Sequence, residues 1–130
     1  MSSMNAPLVL LVDDHADTRE MYAVMLGLSG FAVLEAEDGA SALAQITAQQ
    51  PSVVVTDLRM PGAVPVLDVC RRLHETGVPV IVLTGLEPGP ERDDVDAVGC
   101  AVVLLKPVAP DVLIAEIRRI LSSSQDPAAV

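Results

Sequence analysis

Short aliphatic runs alternate with longer stretches of helical periodicity along most of this 130-residue chain. Such alternation is typical of an open parallel sheet covered by helices, because parallel neighbours need a helix-sized crossover between them. Five runs are predicted to be strands: residues 8–12, 31–35, 53–56, 78–83 and 101–105. The sequence therefore predicts a single α/β domain, with residues 1–122 folded and the small, polar residues 123–130 forming a flexible tail.

Helical spacing of apolar residues predicts the elements between the strands. The first helix covers residues 17–28, where Met21, Val24, Met25 and Leu28 recur at helical spacing before Gly30. Four further helices are expected over residues 40–49, 65 to about 77, 90–98, and from about 110 onward. The second should turn Leu43 and Ile46 inward, and the last should turn inward Val112, Leu113, Ile117, Ile120 and Leu121.

The overall charge and the scarcity of aromatic residues exclude two classes of ligand. The formal net charge is −10, whereas a surface that grips a nucleic acid backbone must be basic. Tyr22 and Phe31 are the only aromatic residues, so little material exists for stacking on bases or on a flavin ring. We therefore expect no direct nucleic acid binding by this chain, and any output on DNA would need a partner.

The apolar runs and the two cysteines point to an ordinary intracellular protein. The longest runs fall far short of the roughly 20 residues that span a bilayer, and the start MSSMNA lacks the features of a signal peptide. We therefore expect a cytoplasmic protein without membrane insertion. Cys70 and Cys100 lack CxxC spacing, which favours buried and reduced side chains.

Chemically active residues follow four of the five predicted strands. The first strand ends in Asp13 and Asp14, the third in Asp57, the fourth in Thr84 and the fifth in Lys106. If the strand order is 2-1-3-4-5, three carboxylates converge at one edge of the sheet, where ligands of such folds collect. Adjacent carboxylates repel each other and are costly to desolvate, so a cation is expected there. The pattern predicts a magnesium site beside a phosphate-sized space.

These motifs together resemble the receiver domain of two-component response regulators. The matching segments are Asp13-Asp14, the run DLRMPG at residues 57–62, Thr84-Gly85 and Lys106-Pro107, within about residues 8–121. The resemblance implies a flavodoxin-like, three-layer α/β/α fold whose five-stranded parallel sheet has the order 2-1-3-4-5. It also implies that a histidine kinase or phosphotransfer protein phosphorylates Asp57 and that a downstream protein partner responds. The chain would then be a signalling receiver that catalyses only its own phosphorylation and dephosphorylation.

The expected Mg²⁺ site uses oxygen ligands. Mg²⁺ prefers octahedral oxygen donors and keeps several waters, so we expect Asp14 and Asp57 to bind it directly and Asp13 to bind through water. Arg59 would contribute its backbone carbonyl, which accommodates a cationic side chain beside the acceptor. A site built from hard oxygen donors does not favour imidazole, so His15 is predicted to be a surface residue.

Two further residues are expected to contact the phosphoryl group. Lys106 would act as its point-charge partner, and Thr84 would donate a hydroxyl hydrogen bond to one of its oxygens. The bond between Lys106 and Pro107 is expected to be cis, because the chain must turn sharply toward the last helix and related receivers have a cis bond there.

Other functions remain open to different degrees. A receiver-like scaffold with weak or no switching is the main alternative, because Val103 stands where receivers usually carry a swinging aromatic residue. A haloacid-dehalogenase-like phosphatase would need an acid two residues after its nucleophile, and Arg59 stands there instead. The low aromatic content disfavours a flavodoxin.

Overall fold

Strands and helices alternate in a computed structural model that describes residues 6–57, 71–72, 75, 77–85 and 102–125. The strands are β1 (Leu8–Val12), β2 (Ala32–Ala36), β3 (Val53–Asp57), β4 (Val80–Thr84) and β5 (Val102–Leu105). The helices that the described residues cover in full are α1 (Ala16–Leu28), α2 (Gly39–Ala48) and α3 (Pro110–Gln125). Residues 71, 72 and 75 are helical, as predicted, whereas the rest of that helix and the expected helix at residues 90–98 lie outside the described residues.

The five strands form one parallel sheet in the order β2-β1-β3-β4-β5, which confirms the predicted α/β topology. Every residue of β3 and of β4 is buried. Burial on both faces is what parallel strands require, and it explains why these runs are almost continuously aliphatic. The strand order also places β1 and β3 side by side, which the predicted site needs.

Helices cover both faces of the sheet and enclose two separate apolar clusters. One cluster joins alternate strand residues such as Val9 and Ile81 to buried residues of α1 and α3. The other joins the intervening strand residues to Ala42, Leu43 and Ile46 of α2, which confirms the inward face predicted for that helix. The fold is therefore the three-layer α/β/α arrangement of flavodoxin-like proteins.

The apolar residues of α1 whose spacing predicts the helix do not form its buried face. Tyr22 and Leu26 are buried, whereas a surface strip that we call the α1 stripe is exposed. The α1 stripe consists of Met21, Val24, Met25 and Leu28, which are 42%, 61%, 38% and 80% exposed. Its residues follow one another at the three- and four-residue spacing of a single helix face, so the stripe is a continuous strip of apolar surface.

Helix α3 packs on the sheet largely as predicted. Leu113, Ile117 and Ile120 are buried and Leu121 is partly buried in the first cluster. The inward position predicted for Val112 is wrong, because its side chain is 48% exposed. One residue of helix rotates a side chain by about 100°, which carries position 112 off the face that holds position 113. The helix continues to Gln125, three residues past the predicted end of the folded domain, and the flexible tail stays a prediction.

Tyr22 connects α1 to the segment that joins β5 to α3. Its hydroxyl donates a 2.6 Å hydrogen bond to the backbone carbonyl of Val108. The bond between Lys106 and Pro107 is cis, as predicted. Burial raises the pKa of Tyr22 above its ordinary value of 10.0; the Lys106 ammonium lowers this pKa and the Asp13 carboxylate raises it. A protonated hydroxyl therefore holds the residues that follow Lys106.

We expect two leucines of α1 to differ sharply in their effect on stability. Leu26 is 1% exposed and Leu28 is 80% exposed. Leu26→Ala should lower the free energy of unfolding by about 2–5 kcal/mol, because it leaves a cavity in the core. Leu28→Ala should change it by less than about 0.5 kcal/mol, as surface substitutions do. Urea unfolding of both variants measures the difference, and equal losses would contradict the orientation of α1.

We expect the titration of Tyr22 to differ between the folded and the unfolded chain. Tyr22 is the only tyrosine in the sequence, so near-ultraviolet absorbance of tyrosinate follows it alone. Its midpoint should lie above 10.0 in the folded protein and return to about 10 in denaturant. Because the native state holds this proton more tightly, the contribution to stability is complete below pH 10 and is lost as pH rises through the folded pKa. Coinciding folded and unfolded midpoints would refute the burial argument, and Tyr22→Phe provides the signal-free control.

Candidate functional site

The predicted functional residues meet where the parallel strands end. Asp13 follows β1, Asp57 ends β3, Thr84 ends β4 and Lys106 follows β5. Hydrogen bonding continues beyond the strands at this edge, because the backbone N–H of Asp13 donates to Ala36 at 3.0 Å and that of Lys106 donates to Thr84 at 2.8 Å. The sheet itself therefore fixes the backbone positions of these residues.

Lys106 and Asp57 form a close ion pair. The Lys106 ammonium donates to Oδ2 of Asp57 at 2.6 Å. The Asp57 side chain is 7% exposed and that of Lys106 is 37% exposed, so the carboxylate is largely removed from water while the cation keeps partial contact with it. Charge-assisted hydrogen bonds are among the strongest in proteins, and this one offsets the desolvation of the carboxylate.

Thr84 lies beside this pair in the sheet. Thr84 is 1% exposed, and its backbone carbonyl accepts a hydrogen bond from the backbone N–H of Lys106. The register pairs Asp57 with Leu83, the residue before Thr84. The strand therefore places Thr84 next to both partners of the ion pair, while a contact from its hydroxyl to a phosphoryl oxygen stays a prediction.

The two adjacent aspartates have different surroundings. The side chain of Asp13 is 9% exposed and that of Asp14 is 28% exposed. Oδ1 of Asp13 accepts a 2.9 Å hydrogen bond from the backbone N–H of His15, and its backbone carbonyl accepts a 2.7 Å bond from Arg19. Arg19 also donates to Glu35 of β2 at 3.0 Å. Asp13 is thus locked in place, whereas Asp14 faces solvent.

His15 is exposed, as predicted, but its ring nitrogen turns toward the acidic pair. Nδ1 lies 3.1 Å from Oδ1 of Asp14 and 3.5 Å from Oδ1 of Asp13, while the side chain is 72% exposed. One donor atom from each of Asp13, Asp14, His15 and Asp57 lies within 4.8 Å of the others. The structure therefore brings together the three predicted carboxylates and adds one imidazole.

This donor set fits a divalent cation. Three carboxylates meet at this edge, and the Lys106 ammonium contacts one of them, that of Asp57. Carboxylate oxygens are the ligands that Mg²⁺ prefers, and the partial exposure of Asp14 leaves room for the waters that Mg²⁺ retains. The carbonyl ligand predicted from Arg59 lies outside the described residues, and the division into direct and water-mediated ligands stays a prediction.

A cleft of about 490 Å³ opens beside the acidic residues. Its walls include Asp13, Met21, Tyr22, Lys106 and Val108. One side of the cleft therefore carries the charged site, and the other begins the α1 stripe at Met21. Of the three carboxylates at this edge, that of Asp13 lines the cleft.

Sequence reasoning missed the parts played by Tyr22 and Arg19. Tyr22 contacts the carbonyl of Val108, 86 positions away, and no local sequence pattern predicts such a contact. Arg19 could have been suspected, because it is the one basic residue in the helix that follows the paired acids.

Within the described residues, no helix is long and apolar enough to cross a membrane.

Comparisons with known proteins agree on one family. The family model of the response regulator receiver domain matches residues 9–118. The DNA-binding response regulator MtrA of Mycolicibacterium paratuberculosis is 35% identical over 124 residues, which cover 91% of this chain and 52% of that protein. This chain thus spans about half the length of the curated relatives it matches.

Solved structures give the same result. A response regulator receiver protein from Pseudomonas putida matches with a TM-score of 0.80 at 30% identity, over 88% of this chain and 97% of that chain. The chemotaxis response regulator CheY4 of Vibrio cholerae matches with a TM-score of 0.79 at 29% identity, over 88% of this chain and 98% of that chain. The chain belongs to the response regulator receiver domains, the phosphoacceptor modules of two-component signalling.

Proposed function

We propose that Asp57 is the residue of this receiver that accepts the phosphoryl group. The observation that carries the proposal is the 2.6 Å contact between the Lys106 ammonium and Oδ2 of Asp57. It stands at the edge where Asp13 and Asp14 also bring their carboxylates to within 4.8 Å. A cation of the protein and a site for a second cation therefore flank one buried carboxylate.

In phosphoryl transfer the protein mainly positions the reacting groups and stabilises their charge. A carboxylate oxygen of Asp57 attacks the phosphorus of a phosphohistidine, the P–N bond breaks, and the histidine nitrogen leaves with its electron pair. Lys106 already stands at the acceptor, so it can neutralise charge on the phosphoryl oxygens as they arrive, and Thr84 donates a hydroxyl hydrogen bond to one of them. Asp13, Asp14 and Asp57 would hold Mg²⁺, with Arg59 supplying a carbonyl. Mg²⁺ supplies further charge stabilisation when bound.

We expect the wild-type protein to gain one phosphoryl group when it is incubated with a small phosphodonor and Mg²⁺. Asp57→Asn removes the nucleophilic oxygen and should gain none, and chelation of the metal should abolish the gain in the wild type. Intact-mass measurement reports both. Equal gains in the wild type and Asp57→Asn, or no gain in either, would overturn the assignment.

The proposed partners follow from this role. A histidine kinase or phosphotransfer protein supplies the phosphoryl group, and a downstream protein responds to it. The relative MtrA is described as DNA-binding, but this chain matches about half of that protein and its own net charge is −10. We therefore propose that this chain makes no direct contact with nucleic acid. Its expected cytoplasmic location stays a prediction, as does the absence of catalysis on any molecule other than itself.

The α1 stripe offers a docking surface for the phosphodonor. Asp57 is nearly buried, so a protein that carries a phosphohistidine must pack closely against the sheet edge that holds Asp57. Met21 belongs both to the cleft wall and to the α1 stripe. A contiguous exposed apolar strip is a common mark of protein contact. We propose that the donor protein packs on the stripe while its phosphohistidine approaches the acidic edge beside the cleft.

We expect the double variant Val24→Ser, Leu28→Ser to slow phosphoryl transfer from a donor protein by about tenfold or more, since each lost apolar contact is worth about 1 kcal/mol. Both residues are exposed and lie outside the residues that line the cleft, so transfer from a small phosphodonor should keep its rate. Val112→Ser is the matched control, because Val112 is an exposed apolar residue of α3. Equal slowing with the small donor, or none with the donor protein, would contradict the docking surface.

A receiver-like scaffold with weak switching is the second candidate. Val103 is partly buried and packs against the cluster on the α2 face of the sheet. Its β-branched side chain has few rotamers, so it cannot make the swing of the aromatic residue that receivers usually carry there. The two candidates differ in one observable, which is whether a beryllofluoride mimic at Asp57 changes the chemical shifts of β5.

A further inference from the structure

The geometry at the acidic pair points to a ligand that the carboxylate set does not include. We propose that Nδ1 of His15 binds directly when the site holds a transition ion such as Mn²⁺, Co²⁺ or Ni²⁺. The inference rests on the proposed function, because the site is the one assigned above to Mg²⁺. It makes His15 the residue that decides how well this receiver accepts transition ions in place of Mg²⁺.

The distances between donor atoms carry the proposal. Adjacent ligands in an octahedral shell with bonds of about 2.1 Å stand about 3.0 Å apart, and opposite ligands stand about 4.2 Å apart. Nδ1 of His15 lies 3.1 Å from Oδ1 of Asp14, which is the spacing of adjacent ligands. The four donor atoms of His15, Asp13, Asp14 and Asp57 all lie within 4.8 Å of one another. Small side-chain movements would bring them around one ion.

Apart from its approach to the two aspartates, the imidazole of His15 has no capping or packing role among the described residues. His15 is the N-cap residue of α1, yet its side chain makes no capping hydrogen bond. Its backbone N–H makes the local contact, to Oδ1 of Asp13 at 2.9 Å, and any residue except proline would supply that group. The side chain is 72% exposed, so its removal leaves no cavity. The ring nevertheless turns its nitrogen toward the carboxylates.

The chemistry of the donors predicts selectivity. Mg²⁺ is a hard ion that prefers oxygen, so a neighbouring imidazole adds little to its binding. Imidazole nitrogen suits transition ions, whose affinity for such sites rises from Mn²⁺ through Co²⁺ to Ni²⁺. The sequence-based expectation that a hard-oxygen site does not use His15 therefore holds for Mg²⁺, while the same site gains a nitrogen ligand for the other ions.

We expect His15→Ala to weaken Ni²⁺ binding by about tenfold or more, because one nitrogen ligand is lost, and to change Mg²⁺ binding by less than about twofold. Calorimetric titration of the full chain measures both affinities. His15→Asn places a favourable N-cap residue at this position and should lose Ni²⁺ affinity as His15→Ala does. His74→Ala, which removes the other histidine of the sequence, should leave Ni²⁺ affinity unchanged. Saturating Mg²⁺ should displace Ni²⁺ if both ions share the site.

A spectroscopic measurement separates direct ligation from a nearby charge. In Mn²⁺-loaded protein labelled with ¹⁵N-histidine, electron spin-echo modulation should show a nitrogen coupling that disappears in His15→Ala. An absent coupling, or equal Ni²⁺ affinity in the wild type and His15→Ala, would overturn the proposal. If the wild type still gains its Mg²⁺-dependent phosphoryl group in that case, the proposed function stands without it. If the wild type binds neither ion, both fail.

Discussion

The contact between Lys106 and Asp57 depends on the whole order of the sheet. The two residues are 49 positions apart, and their side chains meet at 2.6 Å because β3, β4 and β5 are parallel neighbours that end at one edge. Lys106 gains its position from two sides, since its backbone N–H bonds to Thr84 and the following segment is held by the hydroxyl of Tyr22. A buried carboxylate without such a cation would be costly to keep ionised. The ion pair therefore links Asp57, the proposed acceptor, to the fold.

Helix α1 works on both sides of this arrangement. Its buried face contributes Tyr22, which holds the carbonyl of Val108, and its first turn contributes Arg19, which holds the carbonyl of Asp13. Its outer face carries the α1 stripe. A partner that binds the outer face of α1 would therefore contact the helix that positions both the acidic pair and the segment after Lys106. The proposed docking surface and the residues that position the candidate site therefore lie on one helix.

The sequence predicts the features that depend on local pattern. It fails where the rotation of a helix or the path of the whole chain decides which residues are in contact. The strands were predicted because parallel strands buried on both faces are nearly pure aliphatic runs. Their order was implied by the resemblance to receiver domains, and the carboxylates were predicted to meet because each follows such a strand. Spacing identified α1 as a helix but could not say which side of it faces the sheet, since Met21 and Tyr22 differ by one step of rotation. The same limit applies to Val112, which the spacing of its neighbours predicts to face inward but which is exposed. The contact of Tyr22 with Val108 depends on the path of the whole chain, which no local window contains.

Charge counting explains why the identity of the cation matters to such a receiver. Asp13, Asp14 and Asp57 carry three negative charges when ionised, and the Lys106 ammonium contacts Asp57, so a divalent ion would neutralise the charge that the carboxylates concentrate at this edge. A phosphoryl group that arrives as an anion would otherwise meet this negative charge within a chain whose net charge is already −10. A divalent ion held by these carboxylates would lower the local negative potential before the phosphoryl group arrives. Carboxylates alone accept any divalent ion, whereas an imidazole at the rim of the site, as proposed for His15, would favour transition ions over Mg²⁺.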